Sequence, residues 1–231
     1  MIVPMLKKSN SWTPSERLPT TLPIVLGVLD QSHQILMPYT KTLIRIWNQE
    51  HRPLMESLLE KDPRERFCVV VHRELKRNEG PDMGILAHVE RVERSETEGY
   101  DLVLECLNRV QLERVDAPGS FEQCHITTVI ERAQLGQAVT THLDQLVQAA
   151  LQLAQVAHEA NVQLGSLLDD LPHRRALLYR LASLLIQAPE ERFEFVSEPS
   201  LMNQINDVSI YIARALQVMG RRRDRTLLVG P

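Results

Sequence analysis

Cysteine, glycine and long apolar runs are scarce in this 231-residue sequence, and each scarcity excludes a class of protein. The three cysteines, Cys68, Cys106 and Cys124, are odd in number and share no close spacing. Neither a disulfide framework nor a four-sulfur zinc site fits, and they read as reduced core residues. No segment approaches the roughly eighteen consecutive apolar residues of a membrane helix, and Met1 to Lys8 lacks the ordered regions of a secretory signal. The expected location is the cytoplasm, without a membrane partner. No glycine is followed by lysine, which removes the phosphate-cradling Gly-x-x-x-x-Gly-Lys loop.

Catalytic motifs fail in the same way. His158-Glu159 begins like a zinc-protease helix, but Val162 stands where the second histidine is needed. Gly119-Ser120 and Gly165-Ser166 lack the outer glycine of a nucleophile elbow. His88 could pair with Cys106 or Cys124, yet nothing specifies the electropositive setting of an active thiolate, so ordinary sheet residues are the simpler reading. No catalytic residue, metal or cofactor is expected.

What is present is a globular composition, 43% hydrophobic and 24% charged, sufficient for one large core or two modest ones. The net charge of -4 gives no general attraction for nucleic acid. Positive charge is instead concentrated in Arg221, Arg222, Arg223 and Arg225, which form either a solvated terminus or a docking segment for RNA or an acidic protein surface.

The apolar period changes near residue 135. Before it, Ile24 to Leu29, Thr42 to Trp47 and Phe67 to Val71 read as strands, the last covered on both faces. Ile85, Ala87 and Val89 alternate, as do Tyr100, Leu102, Leu104 and Cys106, with Val110 and Leu112 continuing the parity; Gly99 lies between the two sets. This is a long hairpin. Ile126, Thr128 and Ile130 form a last antiparallel strand, and Gln49 to Lys61 is an interrupting helix stopped by Asp62-Pro63. Six strands and one helix suggest a small, mostly antiparallel barrel.

Beyond Gly136, Val139, Leu143, Leu146, Ala150, Leu153, Ala157, Ala160 and Leu164 follow at alternating steps of four and three. This seam predicts one long helix of roughly 40 Å that needs helical partners. Arg174 to Gln187, Pro189 to Val196 and a last helix entered at Pro199-Ser200, carrying Leu201, Ile205, Val208, Ile212, Ala215 and Met219, supply them. The expected class is α+β, with an N-terminal extension over residues 1–20, a β domain over 21–132, a helical domain over 133–220 and a basic tail over 221–231. Trp47 and Tyr100 suit a barrel core; exposed beside each other they would form an apolar groove for extended polypeptide. Tyr39, after Pro38 in a loop, is the better candidate for exposure.

Ordered blocks across residues 22–132 resemble the N-terminal domain of Lon proteases, a pseudobarrel of the PUA-like superfamily. Leu22-Pro23-Ile24-Val25-Leu26 resembles its opening strand, Ile35-Leu36-Met37-Pro38 its apolar-proline loop, and Leu43-Ile44-Arg45-Ile46-Trp47 the next strand. Met83-Gly84-Ile85-Leu86-Ala87-His88-Val89 and Leu104-Glu105-Cys106-Leu107-Asn108-Arg109-Val110-Gln111-Leu112 resemble its two most specific blocks. Tyr39, Leu43 and Cys106 depart from the family's glycine, proline and glycine, and residues 133–219 resemble its helical extension in pattern only.

The resemblance implies the non-catalytic portion of Lon, without ATPase or protease domains. Its implied role is that of an adaptor or scaffold in protein quality control. The implied partners are unfolded or tagged polypeptides and an ATP-dependent protease, with self-association into a homo-oligomer through the helices. Tyr39, Trp47 and Tyr100 become the candidate polypeptide contacts. The alternative is an RNA-binding protein that uses the barrel face and the arginine tail.

Overall fold

The computed structural model describes residues 24–30, 34–72, 82–95, 99–115, 120–130, 136–159 and 174–228. Six strands, β1 (Ile24–Asp30), β2 (Lys41–Ile46), β3 (Phe67–Val71), β4 (Asp82–Arg94), β5 (Tyr100–Arg114) and β6 (Gln123–Val129), form one sheet in the order β2-β5-β4-β3-β1-β6. A further β5–β6 pairing closes β5, β4, β3, β1 and β6 into a ring, with β2 added outside it on β5. All pairings are antiparallel except β1 with β3.

The long strand β5 makes this closure possible. Its edge away from β4 serves two partners in succession: β2 along Tyr100 to Glu105, then β6 along Val110 to Arg114. A bulge between the Leu86–Asn108 and Ala87–Cys106 pairs lies at that handover, as expected where a strand must bend at a barrel rim. The same bulge explains why unbroken parity along β5 misleads. Leu102, Leu104 and Cys106 belong to one apolar cluster and Val110 to another, although all share parity.

The smaller cluster, Leu26, Val28, Val69, Val71, Leu86, Leu107, Val110, Cys124, Ile126 and Val129, draws on all five ring strands and on no helix, so it fills the ring. Successive strand residues face opposite sides; Leu29, Cys68, Val70, Ile85, Ala87 and Val89 therefore point outward into the larger cluster. Helix α1 (Arg52–Glu60) covers that side with Leu54, Met55 and Leu58. It is preceded by a 3-10 turn capped by Asn48, whose side chain accepts from the Glu50 amide, and a second turn is capped in the same way by Asp62.

The larger cluster continues without a break into the helices, so the apolar core does not stop near residue 132. Helix α2 (Gln137–Glu159) buries Leu143, Leu146, Ala150, Leu153 and Ala157, the seam legible in the sequence; Ala160 and Leu164 lie outside the described residues. The C-terminal helix α5 (Leu201–Leu228) is also long, and it buries Leu201, Ile205, Val208 and Ile212. Its first turn is capped by the Ser200 hydroxyl, which accepts from the Asn203 amide at 3.3 Å. α2 packs chiefly on α5, so the two seams cover one another within the chain. α3 (Arg174–Leu185) packs on both long helices, and α3 and α4 (Pro189–Ser197) meet the β half where Tyr179 stacks on Tyr39 and the Val196 carbonyl accepts from Arg109. α3 buries Ala176, Leu177, Leu178, Tyr179, Leu181 and Ala182, which is more than one face, because it is enclosed on several sides. α5 continues helically through Arg221, Arg222, Arg223 and Arg225 to Leu228.

Candidate functional site

Two places concentrate polar or aromatic side chains in unusual settings: the joint between barrel and helices, and the outward side of β2. At the joint, Arg109 leaves β5 where its edge passes from β2 to β6. It is fully buried. Its guanidinium donates to the main-chain carbonyls of Val196, at 3.3 Å, and Glu198. These carbonyls close α4, so the cation also meets the negative end of a helix dipole. Its carbon Cζ lies 5.8 Å from the centre of the Tyr179 ring.

Tyr179 donates to Gln204 Oε1 at 3.0 Å, and Gln204 Nε2 donates to the Phe195 carbonyl at 2.6 Å. Tyr39 stacks on Tyr179 with ring centroids 5.8 Å apart, and its hydroxyl accepts from Asn108 Nδ2 at 2.9 Å. Tyr39 is also the only described non-glycine residue at positive φ, 59°. That conformation costs an L-residue about 1 kcal/mol, which explains why the resembling motif has glycine there. Here the stacking and the hydrogen bond hold the ring in place. Tyr39 is therefore half-buried in the joint rather than exposed in a loop.

Tyr100 is buried, facing the larger cluster, with its hydroxyl donating to Glu56 Oε1 at 3.3 Å. Trp47 is instead 55% exposed. The two do not form a shared groove. Parity along β2 shows why: Ile44 and Ile46 point into the core, so Lys41, Leu43, Arg45 and Trp47 share the outer face. Leu43 is 59% exposed. Lys41 Nζ pairs with Glu90 at 2.6 Å. Arg45 grips both oxygens of Asp101, at 2.6 and 3.2 Å, and this hydrogen-bonded ion pair holds the Asp101 carboxyl below its usual range. Arg45 also lies 5.4 Å from the Trp47 ring centre. The indole rests on bare backbone at Gly99, where an added Cβ would come within 3.0 Å of its Cε3.

His88 is buried, with Nε2 2.9 Å from the Pro63 carbonyl and its ring against Phe67. Burial pushes the Cys68 and Cys106 thiols up to about 12, far from reactive thiolates. Among the described residues no group of three or more His, Cys, Asp or Glu side chains could hold a metal ion. No described helix is long and apolar enough to cross a membrane.

The model of the ATP-dependent protease La (LON) substrate-binding domain matches residues 25–214, spanning both ring and helices. The chain belongs to the Lon substrate-binding domain family. Solved Lon N-terminal domains share the fold. The N-terminal domain of the Mycobacterium avium complex Lon protease superposes with a TM-score of 0.63 at 15% identity, covering 82% of this chain and 98% of that one. A Lon N-terminal domain protein from Xanthomonas campestris gives 0.50 at 13% identity, covering 80% and 96%. No curated protein sequence matches the chain. The Lon match is to the substrate-binding domain alone.

Sequence reasoning missed Arg109 as the joint, although it lies in the block that most specifically resembles Lon. Its carbonyl partners are distant in the chain, and no local pattern announces them. The side chains of Arg221, Arg222, Arg223 and Arg225 lie outside the described residues.

Proposed function

We propose that this protein is a non-catalytic recognition module that captures extended or unfolded polypeptide and serves as an adaptor or scaffold in protein quality control. The observation that carries this reading is the family match over residues 25–214, which includes the described ring except Ile24 and most of the bundle. The exposed side of β2 supports it by presenting Leu43 and Trp47 to solvent on an otherwise well-paired sheet. Edge strands are a common seat for extended chain, since main-chain hydrogen bonds supply affinity irrespective of sequence.

The test is equilibrium binding of fluorescently labelled, chemically denatured casein to the full chain, with folded casein-sized proteins as controls. Saturable binding of the denatured form, without cleavage and without ATP, is the expected result. Absence of binding by a monodisperse sample overturns the reading. Salt-sensitive binding of structured RNA in place of polypeptide would transfer the function to nucleic acid.

A further inference from the structure

Resting on the polypeptide-binding reading, the geometry of β2 points to a narrower ligand: we infer that β2 takes up an extended client segment as an added strand, and that this segment alternates acidic with apolar residues. Among the described residues β2 pairs only with β5. Along its other edge no described strand takes up its main-chain donors and acceptors.

A strand added there would set its side chains against those of β2, directly opposite neighbours having Cβ atoms about 5 Å apart. On the outer face it would meet Lys41, Leu43, Arg45 and Trp47 in that order, a cation and an apolar group in strict alternation. The carboxylates that pair with Lys41 and Arg45, Glu90 and Asp101, are on β4 and β5, the sheet side of both cations. Such exposed pairs are weak and exchangeable, so a ligand carboxylate on the open side gains attraction without breaking a buried contact. Trp47 supplies a positioned anchor, seated on Gly99 and flanked by Arg45, with much of its surface open to solvent.

The same cations argue against a second copy of the chain as the occupant. Antiparallel β2–β2 pairing centred on Leu43 would set Lys41 against Arg45 of the other copy, pairing centred on Arg45 would set two arginines together, and pairing centred on Ile44, which sets Lys41 against Trp47 and Leu43 against Arg45, gives neither cation a carboxylate. Like charges directly opposed on a sheet are repulsive. A partner strand bearing carboxylates at those positions is attracted instead.

The test uses two short synthetic peptides in extended form, one alternating Leu and Phe with Asp and Glu, its twin carrying Lys at every acidic position, titrated into the full chain at low salt. The acidic peptide is expected to bind about tenfold more tightly, and the Lys41→Glu, Arg45→Glu double variant to invert that preference. Trp47→Ala, an exposed substitution that leaves both ion pairs in place, should weaken both peptides. N-methylation of alternate amides in the acidic peptide should abolish binding in one phase and be tolerated in the other, as strand addition requires. Equal affinity for the twins, or indifference to Trp47→Ala and to N-methylation while denatured casein still binds, overturns the β2 assignment and leaves polypeptide recognition standing elsewhere. Failure of wild type to bind casein as well as both peptides overturns both. A dimer that Leu43→Glu dissolves would assign β2 to self-pairing, and so also overturns the inference.

Discussion

Arg109 of β5 donates to the carbonyl of Glu198 at the end of α4, joining a ring strand to the helical half by a fully buried cation. A second bond to Val196 and the face of Tyr179 complete its surroundings. Replacing Arg109 with methionine keeps much of the volume but leaves buried helix-end carbonyls without their donor, at a cost of about 3 kcal/mol. Both bonds leave the one nitrogen Nη1, which an ammonium could imitate, but lysine cannot lay a planar cation on the Tyr179 ring, so Arg109→Lys recovers only part of the loss. Thermal and urea unfolding of both variants measures this, and methionine matching wild type would remove Arg109 from its role as the joint.

Tyr39 sits at positive φ and is held by Tyr179 and Asn108. Two opposing terms are separable there. Tyr39→Ala loses the stacking and keeps the strained backbone, whereas Tyr39→Gly loses the stacking and relieves the strain. The glycine variant should therefore be more stable than the alanine variant by about 1 kcal/mol. Tyr39→Phe, which removes only the hydroxyl, should cost about 1 kcal/mol. Chemical denaturation gives the order, and alanine equal to glycine would deny the strain.

Gly84 lies in β4 beside its antiparallel neighbour β3. A Cβ there would stand 2.5 Å from Val69 Cγ1, 2.9 Å from the Val70 carbonyl oxygen and 3.1 Å from Leu112 Cδ1. The oxygen belongs to a strand paired on both sides, with β1 and β4, and cannot retreat cheaply. Gly84→Ala should destabilise by about 1–3 kcal/mol through overpacking. Wild-type melting behaviour in that variant would show that the ring is slacker than its geometry.

Burial raises Cys68 and Cys106 from an ordinary value of 9.0 to about 12. In the unfolded chain these thiols release their protons near pH 9, while the folded chain retains them until about pH 12. The folded state thus binds more protons across that window, and stability falls as pH rises through it. A Cys68→Ala, Cys106→Ala variant should show a shallower alkaline decline than wild type in unfolding midpoints. At pH 8 the native chain should leave both thiols unreacted with a water-soluble thiol reagent, which labels them once urea is added. Rapid native labelling of either residue would contradict their enclosure.

Much of the ring was legible because its signals are local. The Phe67–Val71 run, the hairpin flanking Gly99 and the seam from Leu143 to Ala157 appear in the structure as β3, the β4–β5 pair and the buried face of α2. Trp47 could have been placed by the same logic, since Ile44 and Ile46 fix the parity of β2 and send Trp47 outward. The residues of the joint could not. Arg109 meets Val196 and Glu198, and Tyr39 meets Asn108 and Tyr179, across separations that periodicity does not see. The enclosure of α3 likewise depends on which elements surround it, and so does the division of β5 between two clusters at one bulge.

Ring closure also sets an order of events as the chain leaves the ribosome. β1 pairs in parallel with β3 and antiparallel with β6, Ile24 lying beside Ile126. The β4–β5 hairpin can zip as soon as it emerges, whereas the last stave is synthesised only after every other strand of the ring. Until then the apolar interior stands open along two strand edges, and the growing chain is itself the kind of exposed polypeptide that chaperones attend.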